Sequence, residues 1–208
     1  MFTGLVQALG RVAAIRPAAA GNAAGATRIE IDAGSWPHRP DLGASISVNG
    51  CCLTVVGVAG AVFHFDVIPQ TLAVTGLGRL RVGDGVNLEH AATPTTFLGG
   101  HVVLGHVDGL AEVVELRTSG EWRVRLRLPG DLGVHAVDKG SITLDGVSLT
   151  IARVEDTPSG AIIDVCLIPE TLARTNLAER KVGDKLQVEV DYIAKLVARQ
   201  LEFMKSRA

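Results

Sequence analysis

Period-two alternation of apolar and polar residues is the clearest local pattern in the chain, and it runs over residues 51–56 and again over 147–151. Such alternation predicts β-strands with one face toward a core. The residues on the other face are small and polar in both runs: Cys52 and Thr54, then Ser148 and Thr150. They fit a shallow polar platform for a ligand, or a surface strand that simply faces water. Their recurrence favours the platform.

Turn signals set the ends of these strands. Asn49-Gly50 and Asp145-Gly146 lie between β-branched runs, and both residue types tolerate positive φ, so each pair predicts a tight hairpin. Further strands are predicted at Arg28–Asp32, Val62–Val67, Val86–His90, Trp122–Leu128, Ile162–Leu167 and Leu186–Val190. Closing six strands into a barrel removes exposed sheet edges. We therefore predict an all-β protein, with a loop over residues 18–26.

The chain repeats itself. Residues 45–55 resemble 141–151, 68–72 resemble 168–172, and 82–84 resemble 182–184. This period is too long for solenoid or propeller repeats, which recur every ~20–50 residues. It indicates a duplicated domain, with halves at 1–97 and 98–190 joined through residues 91–98.

After Asp191 the period changes to that of an amphipathic helix over residues 191–208. Its apolar stripe consists of Ile193, Leu196, Val197, Leu201 and Met204. The stripe must pack on the chain's own barrels or on the same helix of other copies, and we expect self-association. Asp191 itself is placed to cap the helix, and a carboxylate there could also reach a ligand.

Composition excludes several classes. The formal charge of −2 gives no basic footprint for nucleic acid. The first residues lack a signal-peptide pattern and no stretch is apolar enough to span a membrane, so a cytoplasmic protein is expected. The three cysteines fit neither a disulfide framework nor a zinc site and should be free thiols.

Two histidines, His101 and His106, lie in a glycine-rich segment at the start of the second half. Their spacing suits no metal site, and the glycines lack the fingerprint of a phosphate-binding loop. A histidine here can be structural or solvated, although flanking glycines allow a ligand to approach closely.

Together, five motifs resemble the riboflavin synthase family of the alpha-chain type over essentially the whole chain. These motifs are Met1-Phe2-Thr3-Gly4-Leu5-Val6, residues 49–54, the Gly-Gly-His-x4-Gly-His-Val-Asp-Gly segment at 99–109, residues 145–150 and residues 168–172.

The resemblance implies two six-stranded antiparallel Greek-key barrels, each able to hold one 6,7-dimethyl-8-ribityllumazine. It implies a transferase that dismutates two lumazines into riboflavin and 5-amino-6-ribitylamino-2,4(1H,3H)-pyrimidinedione, without a metal or redox cofactor. It also implies a homotrimer that associates through the C-terminal helix, with the site between the first barrel of one subunit and the second barrel of a neighbour. An association with lumazine synthase stays open.

By the same resemblance, both pockets can be assigned. The first pocket would use Gly4, Leu5, Val6, Ser45, Cys52, Leu53, Thr54, Asp66, Val67, Ile68, Pro69, Gln70 and Thr71. The second would use Gly105, His106, Val107, Lys139, Ser148, Leu149, Thr150, Cys166, Leu167, Ile168, Pro169, Glu170 and Thr171. Main-chain groups would pair with the pyrimidinedione, while hydroxyls and Lys139 hold the ribityl chain.

The reaction requires removal of a proton from the 7-methyl group of one lumazine and attack at a ring carbon of the other. The catalytic candidates are Cys52, His106, Ser148, Thr150 and Asp191. Ser148 or Cys52 would deliver a nucleophile or polarise water, His106 would move protons, and Asp191 would orient Ser148.

Two other functions compete with this assignment. A lumazine or flavin carrier of the fluorescent antenna type would share the fold without the activity, and its ligand residues tend to erode in one barrel. A barrel module that docks another protein through glycine-rich loops would not explain the repeated polar face. The intact polar face in both halves favours the enzyme.

Overall fold

The structure, a computed structural model, describes residues 1–18, 25–158 and 160–207. Residues 19–24 of the predicted loop lie outside the described part. Within the described residues, twelve strands form two closed barrels, and every paired strand in them is antiparallel.

The first barrel has the strand order β1-β2-β5-β4-β3-β6. Its strands are β1 (Ala8–Pro17), β2 (Thr27–Asp32), β3 (Ser45–Val48), β4 (Cys51–Ala59), β5 (Val62–Val67) and β6 (Gly85–His90). The second barrel, β10-β11-β8-β7-β12-β9, has the same cyclic order when each strand is matched to its repeat. Its strands are β7 (Gly109–Arg117), β8 (Trp122–Arg127), β9 (Ser141–Leu144), β10 (Val147–Thr157), β11 (Gly160–Leu167) and β12 (Lys185–Val190).

The sequence predictions of the all-β class, the duplication and the six strands in each half are confirmed. β1 and β7 were not singled out from the sequence. β1 contains a glycine and three alanines, so its alternation is weak, and it owes its place to pairing with β2 and β6.

Each barrel encloses its own core. In β4 the side chains of Cys51, Leu53 and Val55 point inward, with at most 7% of their surface exposed. The two predicted hairpin turns are confirmed, because Asn49 and Asp145 have φ of 47° and 45° and a positive-φ glycine follows each. The alternation in the sequence therefore separates core from surface, as predicted.

Three α-helices complete the described part of the fold. The short helices α1 (Pro69–Val74) and α2 (Pro169–Arg174) follow β5 and β11, and each begins with proline, whose fixed φ suits the first helical position. The C-terminal helix α3 (Tyr192–Lys205) confirms the predicted amphipathic helix, and none of its described residues is buried. No helix in the described ranges combines the length and apolar character that crossing a bilayer requires.

The two barrels meet around an approximate two-fold relation. A Cβ on Gly50 would lie 2.7 Å from the Gly146 nitrogen, and one on Gly146 would lie 2.6 Å from the Gly50 nitrogen, so the hairpin tips touch through their backbones. Beside them, Phe2 and Val103 pair in an antiparallel bridge. The segments 1–6 and 101–107 thus run past each other between the barrels.

Candidate ligand-binding site

Each barrel carries a strip of small polar side chains on the outer face of one hairpin. The first platform, as we name it, consists of Ser45, Cys52 and Thr54, and the second platform of Ser141, Ser148 and Thr150. Ser45 pairs with Thr54 and Ser141 with Thr150 across β3–β4 and β9–β10. Ser141 was missed in the sequence, although its repeat relation to Ser45 would have found it.

A main-chain segment from the opposite repeat crosses each platform. The Ser148 N–H donates to the Gly4 carbonyl at 2.8 Å, and the Cys52 N–H donates to the Gly105 carbonyl at 2.8 Å. Gly4 and Gly105 have φ of 74° and 79°, and a Cβ on either would lie 2.6 Å from the Cβ of Ser148 or Cys52. Glycine is required at both positions because the backbones approach so closely.

Buried glutamates hold these crossing segments. Glu89 accepts from the Thr3 N–H at 2.7 Å and the Gly4 N–H at 3.0 Å. Glu189 accepts from the N–H groups of Leu104, Gly105 and His106. Burial raises the pKa of both carboxyls, while these donors act to lower it.

The expected assignment of residues to the two pockets is wrong for two segments, residues 4–6 and 105–107. Gly4, Leu5 and Val6 line the second platform, and Val6 packs on the second core. Conversely, Val107 packs on the first core, next to the contact between Gly105 and Cys52. The crossing of segments 1–6 and 101–107 exchanges the two sets, and His106 therefore lies beside Cys52 instead of Ser148.

A cleft of about 350 Å³ adjoins the second platform. It is lined by Gly4, Leu5, Val6, Val147, Ser148, Ile168, Glu170, Thr171, Arg174 and Thr175. Its volume lies in the range of small-molecule sites. Arg174, which the sequence analysis missed, lies four residues after Glu170 on α2 and pairs with it.

Several predicted residues can offer a ligand only their main chain. Leu53, Val67, Leu149 and Leu167 have their side chains in the barrel cores. Asp66 forms a bidentate ion pair with Arg28, at 2.7 and 2.8 Å. Segments 66–71 and 166–171 nevertheless lie at corresponding ends of the two barrels, where β5 and β11 lead into α1 and α2.

The cysteines differ in environment, and all three are free. Cys51 is 5% exposed in the first core, and burial raises the pKa of its thiol to about 12. Cys52, on the platform, is half-buried. A thiolate is the reactive form, so Cys51 is inert and Cys52 is the accessible thiol of the pair.

Lys139 occupies a strained position. Its φ is 65°, and its N–H donates to the Ile151 carbonyl just as the N–H of Gly43 donates to Val55 in the first barrel. Where the first repeat has a glycine with φ of 87°, the second has an exposed lysine. A side chain kept in the left-handed region is a frequent mark of a functional position.

His101 is the histidine that contacts Ser148. Its Nδ1 lies 2.7 Å from Ser148 Oγ, and its Nε2 lies 3.2 Å from Thr143 Oγ1. Asp191, expected to orient Ser148, accepts the Ile193 N–H as the cap of α3 and acts electrostatically on His101. The flanking glycines were the sequence signal for His101, but only folding shows its partner.

Comparison with known proteins agrees with this architecture. A family model for the lumazine binding domain matches residues 3–91 and again 104–191. A riboflavin synthase of Mycobacterium bovis is 42% identical over 204 residues, covering 96% of this chain and 97% of the relative. One of Photobacterium phosphoreum is 38% identical over 202 residues, covering 97% and 89%.

Solved structures of LumP share the fold. LumP complexed with 6,7-dimethyl-8-(1'-D-ribityl) lumazine superposes with a TM-score of 0.74 at 28% identity, over 92% of this chain and 99% of that one. LumP complexed with riboflavin also gives 0.74, at 30% identity, over 92% and 100%. With two lumazine-binding domains and full-length relatives, the chain belongs to the riboflavin synthase family.

Proposed function

We propose that the chain dismutates two molecules of 6,7-dimethyl-8-ribityllumazine, transferring a four-carbon unit to give riboflavin and 5-amino-6-ribitylamino-2,4(1H,3H)-pyrimidinedione. The observation that carries this proposal is the pair of related but unequal platforms, one with Cys52 and one with Ser148. Two identical molecules that play different parts need two similar pockets with altered side chains. Holding two reactants in line can contribute about 7–11 kcal/mol to lowering a barrier.

The platforms bind and orient the substrates. The N–H groups of Cys52 and Ser148 already bond to glycine carbonyls, so segments 66–71 and 166–171 supply main-chain groups for the pyrimidinedione. Platform hydroxyls and Lys139 hold the ribityl chain. Each neutral hydrogen bond adds only about 0.5–1.5 kcal/mol net, so recognition is spread over many contacts.

The direct test is conversion of purified lumazine by the purified protein. We expect one riboflavin for every two lumazines consumed, followed by absorbance and chromatography. A carrier would bind lumazine with a change in fluorescence and release no product. Binding without turnover would therefore show that the protein is a carrier and not an enzyme. Absence of lumazine binding in calorimetry would exclude both functions.

Variants of the platforms test the catalytic candidates. Cys52→Ser and Ser148→Ala should each reduce turnover if these side chains take part in nucleophile delivery or proton transfer. Val56→Ala and Arg153→Ala are matched controls, since they shorten exposed side chains on the same two strands beyond the platforms. Turnover within threefold in both Cys52→Ser and Ser148→Ala would assign the chemistry to water and the bound anion.

The site forms between subunits of a homotrimer. Support comes from α3, whose apolar stripe is exposed in the chain, with Ile193, Leu196 and Met204 at 66%, 48% and 66%. Exposed apolar stripes of this kind favour association with another copy. Light scattering should give three times the chain mass, and Leu196→Glu should dissociate the assembly.

Complementation tests where the site lies. Cys52→Ala and Ser148→Ala chains, mixed, unfolded and refolded together, would regain about one quarter of the sites if each site takes its two barrels from neighbouring chains. Sites within one chain would regain none.

The three free thiols suit the reducing cytoplasm, where we place the protein.

A further inference from the structure

His101 is held between two hydroxyls of the second barrel. Ser148 Oγ lies 2.7 Å from Nδ1, and Thr143 Oγ1, buried to 1% exposure, lies 3.2 Å from Nε2. Thr143 and Ser148 are cross-strand partners in β9 and β10, so one hairpin holds both ends of the imidazole. The ring orientation is therefore set by two bonds to a rigid element.

The imidazole is neutral near pH 7. Burial lowers the pKa of His101 below its ordinary value of 6.5, and the negative charge of Asp191 opposes this without overcoming it. A neutral imidazole has one donor and one acceptor nitrogen. When Nε2–H donates to Thr143, Nδ1 accepts the proton of the Ser148 hydroxyl, which makes the serine oxygen more basic.

The first platform lacks this arrangement. Across the described residues, no histidine nitrogen lies within hydrogen-bonding distance of Cys52 Sγ. His106 follows Gly105, whose carbonyl accepts from the Cys52 N–H, but the His106 side chain is exposed and its main-chain N–H donates to Glu189. Proton transfer through a half-buried serine–histidine pair is thus a property of the second barrel.

We propose that His101 is the positioning residue through which Ser148 removes the 7-methyl proton, and that the lumazine deprotonated in this way is the one bound to the second barrel. This inference rests on the proposed function and adds a proton acceptor and a barrel to it. In the step, the methyl C–H bond breaks and its electron pair enters the lumazine ring. The proton passes to Ser148 Oγ as the serine hydroxyl proton passes to His101 Nδ1, and the imidazolium returns it later.

The experiment measures exchange of the 7-methyl protons with solvent deuterium by NMR, together with turnover and lumazine affinity. The variants are His101→Asn, whose amide can still bond to Ser148 from near the Nδ1 position, and His101→Gln. His135→Gln is the matched control, because His135 is a half-buried histidine in the short turn Leu132–His135, which contacts Ala161 near the start of β11 and not the segment 166–171 at its end. General base catalysis of this kind contributes about 10²–10⁴-fold.

We expect exchange and turnover to fall at least about 100-fold in both His101 variants, with lumazine affinity within threefold of the parent. His135→Gln should behave as the parent. In the parent, the rate should rise with pH through a pKa below 6.5, as the imidazole loses its proton, and this limb should disappear in His101→Asn.

Retention of exchange within threefold in either variant would overturn the inference. Rescue by His101→Asn alone would also overturn it, because a structural hydrogen bond would then be sufficient. Failure of the proposed function is distinguishable, since the parent protein itself would then make no riboflavin. Circular dichroism and lumazine binding show whether each variant folds. If His101→Gln does not fold, the result for His101→Asn alone decides the test.

Discussion

Replacing Arg180 with leucine should test how the second barrel stabilises the buried charge of Asp145. Asp145 lies in the turn between β9 and β10 with 3% of its side chain exposed, and Arg180 Nη2 donates to its Oδ2 at 2.7 Å. The N–H of Gln187 donates to Oδ1 at 2.8 Å. Burial raises the pKa of Asp145, and the arginine charge opposes that rise. Arg180→Leu leaves the carboxylate with one main-chain donor.

The expected loss follows from this geometry. Breaking a buried ion pair by removing one partner costs about 3–5 kcal/mol. Arg180 is 23% exposed and lines a cleft of about 310 Å³, so water relieves part of the penalty. We therefore expect the lower figure, about 3 kcal/mol, which corresponds to a decrease in Tm of about 6–12 °C for a chain of this size.

The first barrel provides the matched control. Asn49 stands where the second repeat has Asp145, and Leu80 stands where it has Arg180. The double variant Asp145→Asn/Arg180→Leu reproduces this uncharged pair. Its free energy of unfolding should lie within about 1 kcal/mol of the parent's, because no buried charge is left unpaired. Urea unfolding followed by circular dichroism measures all three proteins.

The pH dependence has a definite sign. A carboxyl whose folded pKa is raised favours the folded state below its unfolded pKa, near 3.8, and loses that contribution as pH rises through the folded pKa. The loss in free energy of unfolding caused by Arg180→Leu should therefore be large at pH 7 and become smaller toward pH 4. A Tm equal to the parent's at pH 7, or a double variant as unstable as the single one, would refute this reasoning.

Three further outcomes are expected. Lys139→Gly should raise the free energy of unfolding by about 0.5 kcal/mol, because relief of left-handed strain outweighs the added entropy of the unfolded chain. The same variant should raise KM for lumazine at least about tenfold, and an unchanged KM would show that Lys139 does not contact the substrate. Gly105→Ala should lower the free energy of unfolding about 1–3 kcal/mol more than Gly34→Ala does, because only the new Cβ at residue 105 would lie 2.6 Å from the Cys52 Cβ. Equal urea midpoints for the two variants would contradict this close approach. Iodoacetamide followed by peptide mapping should label Cys52 and spare Cys51, whose pKa is about 12; labelling of Cys51 in the folded protein would contradict its burial.

Local pattern alone determined much of this protein. Alternation over residues 51–56 and 147–151 separated core from platform, and the Asn49-Gly50 and Asp145-Gly146 pairs located the hairpins. The repeat indicated two barrels, and the change of period after Asp191 indicated α3. These features depend on neighbouring residues and on backbone sterics, so the sequence carries them directly.

Tertiary structure decided which residues meet. Nothing local in residues 4–6 indicates that they lie on the second platform, or that residues 105–107 lie on the first. Those positions depend on main-chain bonds such as Ser148 to Gly4, and on buried Glu89 and Glu189, which join residues far apart in the chain. The contact of His101 with Ser148 likewise joins residues 47 positions apart, and such long-range contacts leave no periodic trace in the sequence.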